Sequence, residues 1–286
     1  MTKQKHFHRY QKLLTYGACL GPFFVLFFMF QLAPIIWVVC NSFVYEGELT
    51  LDNYAEIFSS PFILQGFKNS LWLSLLSSII GLAIALLAVN SIRRVNGRVR
   101  NAVIAFVNMS SNFSGVPLAF AFIIILGTNG AVTLILRQLG LIDDFELYGK
   151  WGLLAIYTYF QIPLAILLLY PAFDQLKDEF QEAAQLLGAS TLQYVIKVAL
   201  PLLTPAIIGT LVILIANAMG AYASVYALTA GNYNVITIRI AALVSGDIFL
   251  EPNLAAAISV LLMILMAFIV MLNYTLLNRS RYAKKQ

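Results

Sequence analysis

The stretch Glu182–Pro201, EAAQLLGASTLQYVIKVALP, is a polar island between two apolar runs of membrane-crossing length, residues 151–171 and 201–227. It therefore reads as a loop over 172–200 joining two transmembrane helices. Asp174, Asp178, Glu179 and Glu182 fall on a short helix expected to open after Pro171, where acids complement the positive end of the macrodipole. Gly188 supplies a turn that a side chain would obstruct. Ser190 with Gln193 three residues on reads as a capping box for a second short helix. Pro201 suits the first turn of the next helix, where its missing N–H costs nothing. Ala183, Ala184 and Ala189 surround this corner, so another protein's cleft could approach it closely.

Composition agrees with that reading. The chain is 60% apolar and only 11% charged, against about 25% charged in ordinary soluble proteins. Six apolar segments, at 14–39, 69–91, 102–126, 151–171, 201–227 and 253–277, each approach or exceed the ~20 residues that cross a bilayer core as a helix. Barrel strands would be about 10 residues long and alternate, whereas these runs are continuous. The expected fold is an all-α integral membrane protein, one transmembrane domain over residues 1–286. The first run starts like a signal peptide, but it is long and no small-residue cleavage site follows, so it reads as a retained span.

Fourteen of the eighteen Lys and Arg fall on one side of this topology: Lys3, Lys5, Arg9, Lys12, Arg93, Arg94, Arg98, Arg100, Lys177, Lys197, Arg279, Arg281, Lys284 and Lys285. The other side holds Lys68, Arg137, Lys150 and Arg239 with most of the acids, among them Glu46, Glu48, Asp52, Glu56, Asp143, Asp144, Glu146, Asp247 and Glu251. Positive residues in short loops stay cytoplasmic, which places both termini and the 172–200 loop inside. The basic balance is thus a topology signal, and no nucleic-acid partner is expected. Cys19 and Cys40 lie in one span, 21 residues apart, or about 30 Å along a helix, too far to bridge. With His6 and His8 both in the basic tail, no metal site is expected.

Outside, residues 41–68 should carry a short interfacial helix over 53–58. Asn129-Gly130 should turn into a helix at 132–139 that is too short to span, and 228–252 forms a third external loop. No phosphate-binding G-x-x-x-x-G-K-[ST] motif exists, so any ATPase must be a partner chain. The spans also lack a central ionisable residue of the kind proton-coupled carriers use as a relay, and no nucleophile-base pair suggests an enzyme.

The polar residues inside spans are uncharged and clustered. Asn108, Ser110, Ser111, Asn112 and Ser114 lie in the third span, and Asn217, Gly220, Tyr222 and Ser224 in the fifth. Taken singly, such residues serve interhelical packing, at about 0.6 kcal/mol per hydrogen bond. As two clusters they suggest a translocation path, because unpaired amides in lipid are expensive. Asn108, Asn112, Asn217 and Tyr222 are the candidate path residues.

The spacing Glu182-Ala183-Ala184, three residues, Gly188, nine residues, Val198, Ala199, Leu200-Pro201 resembles the cytoplasmic loop of permease subunits of binding-protein-dependent ABC importers (type I fold), with Val198 where the family has Ile. The overall length and the Asn-Gly turn are most similar to the polyamine, phosphonate, ferric-ion and thiamine permease group. The resemblance implies a multi-pass protein of the bacterial inner membrane, non-catalytic, that moves a small polar solute inward by ATP-driven alternating access. It implies an ABC ATPase dimer docking through Glu182, Ala183, Ala184, Gly188, Leu200 and Pro201. A second permease subunit, a different chain, and an extracytoplasmic solute-binding protein complete the implied assembly. No cofactor is expected in this chain, ATP being held by the ATPase. The alternative is a stand-alone carrier or channel.

Overall fold

The structure, a computed structural model, describes residues 20–141, 146–246 and 250–282, excluding the side chains of Asp178 and residues 276–282. The expectations on the basic tail with His6 and His8, the first turns of span one with Cys19, and Asp143, Asp144 and Asp247 lie outside the described residues. So do those on the side chains of Arg279 and Arg281 and on Lys284 and Lys285. Six described helices are long and apolar enough to cross a membrane. The chain divides into two compact units, Met1–Ser60 with Ala242–Met263, and Pro61–Ala241 with Ile264–Gln286.

In the first unit, α1 (Leu20–Asn41) contains a π turn at Phe28–Leu32. Its Ala33 N–H reaches back five residues to the Phe28 carbonyl, immediately ahead of Pro34. A proline ring crowds the carbonyl four residues back, and a widened turn makes room for it. After α1 comes a hairpin, β1 (Val44–Tyr45) antiparallel to β2 (Glu48–Leu49). Glu46 and Gly47 turn it, both at positive φ (49° and 90°), as the tight primed turns of hairpins require. The expected interfacial helix follows as α2 (Asp52–Ser59). Asn53 ties it back: buried, it donates through Nδ2 to the Ser42 carbonyl at 3.1 Å and the Val44 carbonyl at 2.9 Å.

In the second unit, α3 (Pro61–Ile92) and α7 (Lys150–Asp174) form the central pair, and α10 (Leu200–Met219) packs on both. The buried face of α3 recurs every three to four residues and is built largely of small side chains: Ser70, Ser74, Ser77, Ser78, Gly81 and Ala85. Leucine gains nothing by leaving lipid for protein, so spans associate through close approach and hydrogen bonds, and small residues permit both. At Gly81 the contact is so tight that a Cβ would sit 2.9 Å from the Gln161 Cβ.

Two of the expected spans are corrected. The segment 102–126 is not continuous. It comprises α4 (Gly97–Ser111), a break, and α5 (Val116–Leu126), and the span proper runs Val116–Gln138 through α6 (Ala131–Gln138). The cause is local. Ser111 Oγ and Asn112 Nδ2 both bond the Asn108 carbonyl, closing α4, Gly115 takes φ 71°, and Pro117 sits in the first turn of α5, where its missing N–H costs nothing. The segment 201–227 ends as a span at Met219; Gly220–Tyr222 break it, and α11 (Ala223–Thr229) is separate. A short α12 (Ile236–Ser245) and the long α13 (Pro252–Tyr282) complete the chain.

Candidate functional site

The 172–200 loop is a helix-turn-helix. α7 runs through Pro171 and ends at Asp174, so that residue closes α7 and does not open the loop helix, as the sequence had suggested. The loop helix is α8 (Asp178–Leu186). It ends in a Schellman motif: the Ala189 N–H bonds the Ala184 carbonyl at 3.0 Å and the Gly188 N–H bonds the Gln185 carbonyl at 2.9 Å. Gly188 sits at φ 82°, and a Cβ there would meet nothing within 4 Å. Its necessity is therefore conformational and not, as expected, a matter of obstruction. The expected capping box is present, with Ser190 Oγ accepting from Gln193 N–H and the Gln193 side chain accepting from Ser190 N–H.

α9 (Thr191–Tyr194) then runs through a second π turn, Val195–Ala199, straight into α10. Pro201 thus does not start a new helix; the Leu200 N–H reaches the Val195 carbonyl five residues back, the same accommodation found ahead of Pro34. Glu182, Ala183 and Gly188 are exposed, while Ala184 is half-buried against the core formed by Leu169, Phe173, Leu176 and Tyr194. Leu200 and Pro201 belong to the span and not to the tip. The tip is Leu186 and Leu187, 90% and 89% exposed. Sequence reasoning passed over these two leucines; paired large apolar residues just before a helix-ending glycine were the available signal.

The two helix breaks meet. A cavity of about 550 Å³ is lined by Ser114 and Gly115 from the first break and by Asn217, Gly220, Tyr222 and Ser224 from the second, with Phe160 of α7 alongside. Ser224 Oγ donates to the Gly115 carbonyl at 3.4 Å, linking the breaks. Tyr222 stacks on Tyr226 with ring centroids 5.3 Å apart. Of the candidate path residues, the structure brings Asn217 and Tyr222 together here. Asn108 and Asn112 do not line this cavity, and the Asn112 amide caps α4. The lining offers amide, hydroxyl and phenol groups and one aromatic face, with no carboxylate or amine.

Behind the cavity wall lie polar residues that the sequence reading did not single out. Gln161, fully buried in α7, donates from Nε2 to Ser78 Oγ at 2.8 Å and to the Leu214 carbonyl at 2.9 Å. Its Oε1 has no donor among the described residues. One turn earlier, the Tyr157 hydroxyl donates to the Ala221 carbonyl at 3.1 Å. A lone glutamine in an apolar run is the signal that was available.

In the first unit, Tyr45, Glu46, Asn53, Glu56, Glu251 and Asn253 line a cavity of about 350 Å³. Partial burial, and then the neighbouring Glu251 carboxylate, push the Glu56 carboxyl above its ordinary range.

Comparison with known proteins places these features. The profile of the family described as "Binding-protein-dependent transport system inner membrane component" matches residues 77–281, which include the loop and both breaks. The spermidine/putrescine transport system permease protein PotB of Haemophilus influenzae is 27% identical over 269 residues, 88% of this chain and 91% of its own. A chain of a bacterial ABC transporter for import of the acidic polysaccharide alginate has the same fold, with a TM-score of 0.77 at 22% identity, over 98% of this chain and 99% of that one. The alginate transporter solved with a pentasaccharide-bound periplasmic protein gives a TM-score of 0.74 at 22% identity, over 92% of this chain and 93% of that one. With the family profile covering most of its length and six helices of spanning character, the chain is a multi-pass inner-membrane permease and belongs to the binding-protein-dependent transport system inner membrane components, the permease subunits of ABC importers.

Proposed function

We propose that this permease couples to an ABC ATPase dimer through the 172–200 helix-turn-helix and passes a small polar solute inward past the two helix breaks. The observation that carries this reading is the exposed apolar pair Leu186–Leu187 at the end of α8, held out by a glycine turn and anchored by buried Tyr194. Large apolar side chains at the tip of a polar loop lose water only when a partner covers them. Glu182, Ala183, Ala184 and Gly188 shape that tip, and Leu200 with Pro201 joins it to the span. In this reading both termini lie in the cytoplasm, and residues 1–286 work as one permease domain.

ATP is held by the ATPase, and no cofactor is bound here. ATP-driven closure of the ATPase dimer would pull on α8, and α10, continuous with the loop through α9 and the π turn, would carry the movement to the cavity. A second, different permease chain supplies the facing half of the path, and a solute-binding protein delivers cargo from outside. Asn217 and Tyr222 are the path residues the cavity supports; Asn108 and Asn112 do not line it, and the Asn112 amide serves as the cap of α4. The candidate cargoes are polyamines, phosphonates, ferric ion and thiamine; the spermidine/putrescine permease among the relatives favours beginning with polyamines.

The test is reconstitution of the chain with its co-encoded ATPase, second permease and binding protein in liposomes. ATP hydrolysis and uptake should be stimulated by one of spermidine, 2-aminoethylphosphonate, ferric citrate or thiamine. Uptake driven by an ion gradient without any ATPase would instead make the chain a stand-alone carrier.

A further inference from the structure

We infer that Tyr157 and Gln161 form a two-point clamp that sets the shape of the cavity wall at the break after α10, and that they are positioning residues for the solute passing it. The inference rests on reading that cavity as part of the translocation path. Residues 157 and 161 are four apart on α7 and so project from one side of it. Both donate to the backbone of a single downstream segment, Gln161 to the Leu214 carbonyl at 2.9 Å and Tyr157 to the Ala221 carbonyl at 3.1 Å. Between these anchors lie Ala216, Asn217 and Gly220, all on the cavity wall.

The wall needs outside support because its own helix is ending. The last turn tightens, with the Ala221 N–H reaching only three residues back to the Ala218 carbonyl. Beyond the helix, the Ala221 carbonyl takes the hydroxyls of Tyr157 and of Thr237, the latter at 3.3 Å. In a membrane, irregular backbone persists only where protein groups or a wet cavity satisfy it.

Gln161 is itself fixed. Its Nε2 also reaches Ser78 Oγ, and Gly81 lets α3 close directly onto its Cβ. Filling this space is not what requires an amide. Methionine would occupy a similar volume without leaving a buried acceptor unpartnered, as Gln161 Oε1 is, and such an acceptor is a standing cost. What the amide adds is its donors, and one of them goes to the wall.

The test uses the full complex in membrane vesicles. Cys19 and Cys40, the only two cysteines, are replaced by serine, and a reporter cysteine is placed by Ala223→Cys on the far rim of the break. In a parallel protein, Ala165→Cys reports from the buried core of α7, away from the cavity. A water-soluble methanethiosulfonate reagent measures the labelling rate of each. Tyr157→Phe and Gln161→Met should each speed labelling at 223 by about fivefold, the factor that one hydrogen bond of ordinary strength provides. The double variant should exceed the product of the two, because either clamp point partly holds the wall alone, and labelling at 165 should stay slow throughout.

Equal acceleration at 165 and 223, or unchanged labelling at 223, would overturn the clamp and leave both residues as packing. Tyr157→Phe keeps the ring and carries the test alone if Gln161→Met fails to assemble. If the selective pattern is found but no ATPase co-purifies with the chain, the importer reading fails while the clamp stands.

Discussion

Replacing Gly188 by alanine isolates what the loop turn contributes. The backbone there is left-handed at φ 82°, and a Cβ would meet no atom within 4 Å, so the substitution introduces no clash. The cost is then the intrinsic penalty of an L-residue in that region, roughly 1–2 kcal/mol. It falls on the Schellman bonds from Ala189 and Gly188 to the Ala184 and Gln185 carbonyls, which aim Leu186 and Leu187. Membrane packing of the spans is untouched, so insertion and yield should be normal. Affinity for the ATPase, measured by titrating purified ATPase onto the permease complex in nanodiscs, should fall by a factor of roughly 5–30, the equivalent of that energy. Gly188→Asn should fall less, because asparagine tolerates the left-handed region. Equal losses for alanine and asparagine, or an alanine variant that binds as tightly as the parent, would refute the conformational argument.

Other consequences are as direct. Gly81→Val should destabilise the complex in detergent by about 1–3 kcal/mol, the usual cost of overpacking, because even one Cβ comes within 2.9 Å of Gln161; melting temperature reads this. Asn217→Leu should change substrate-stimulated ATP hydrolysis while the complex still assembles, whereas Asn112→Leu, which loses only the cap on α4, should act mainly on stability. Burial and Glu251 raise the Glu56 carboxyl, so the folded first unit favours its protonated form. The stabilisation that protonation provides is complete below the ordinary carboxylate range and is lost as pH rises through the raised value. The protection of α2 amides, taken relative to their intrinsic exchange rate at each pH, should accordingly fall across that window, and Glu56→Gln should remove that fall.

Much of this was legible in the sequence because membrane solvation is a coarse filter. Continuous apolar runs can only be helices in lipid, so the number of spans followed from composition, and the capping box at Ser190–Gln193 is a local pattern that needs no tertiary partner. Gly188 was found for the right position and the wrong reason, since a left-handed turn and a close approach leave the same letter. The breaks at 112–115 and 220–222 were missed as breaks because their residues remain apolar enough to extend a hydropathy window; Asn112, Gly115 and Pro117 together mark the first, and only Gly220 marks the second. Pro201 looked like a helix start, but a π turn, which has no sequence signature, carries the helix through it. Gln161 and Ser78 lie 83 residues apart, and nothing in either local stretch announces their meeting. The cavity is legible only after the two breaks have been brought side by side.

The central claim is that the 172–200 loop is the cytoplasmic seat of an ATPase. Its most direct test is site-specific cross-linking from a photoreactive amino acid at Leu187, with a second probe at Glu48, in intact cells expressing the co-encoded transporter genes. The account predicts a cross-link from position 187 to the ATPase that changes in yield when ATP hydrolysis is arrested by vanadate, and none from position 48. Cross-linking of position 187 to an extracytoplasmic protein, or to no ATPase while the assembled transporter hydrolyses ATP, would contradict it.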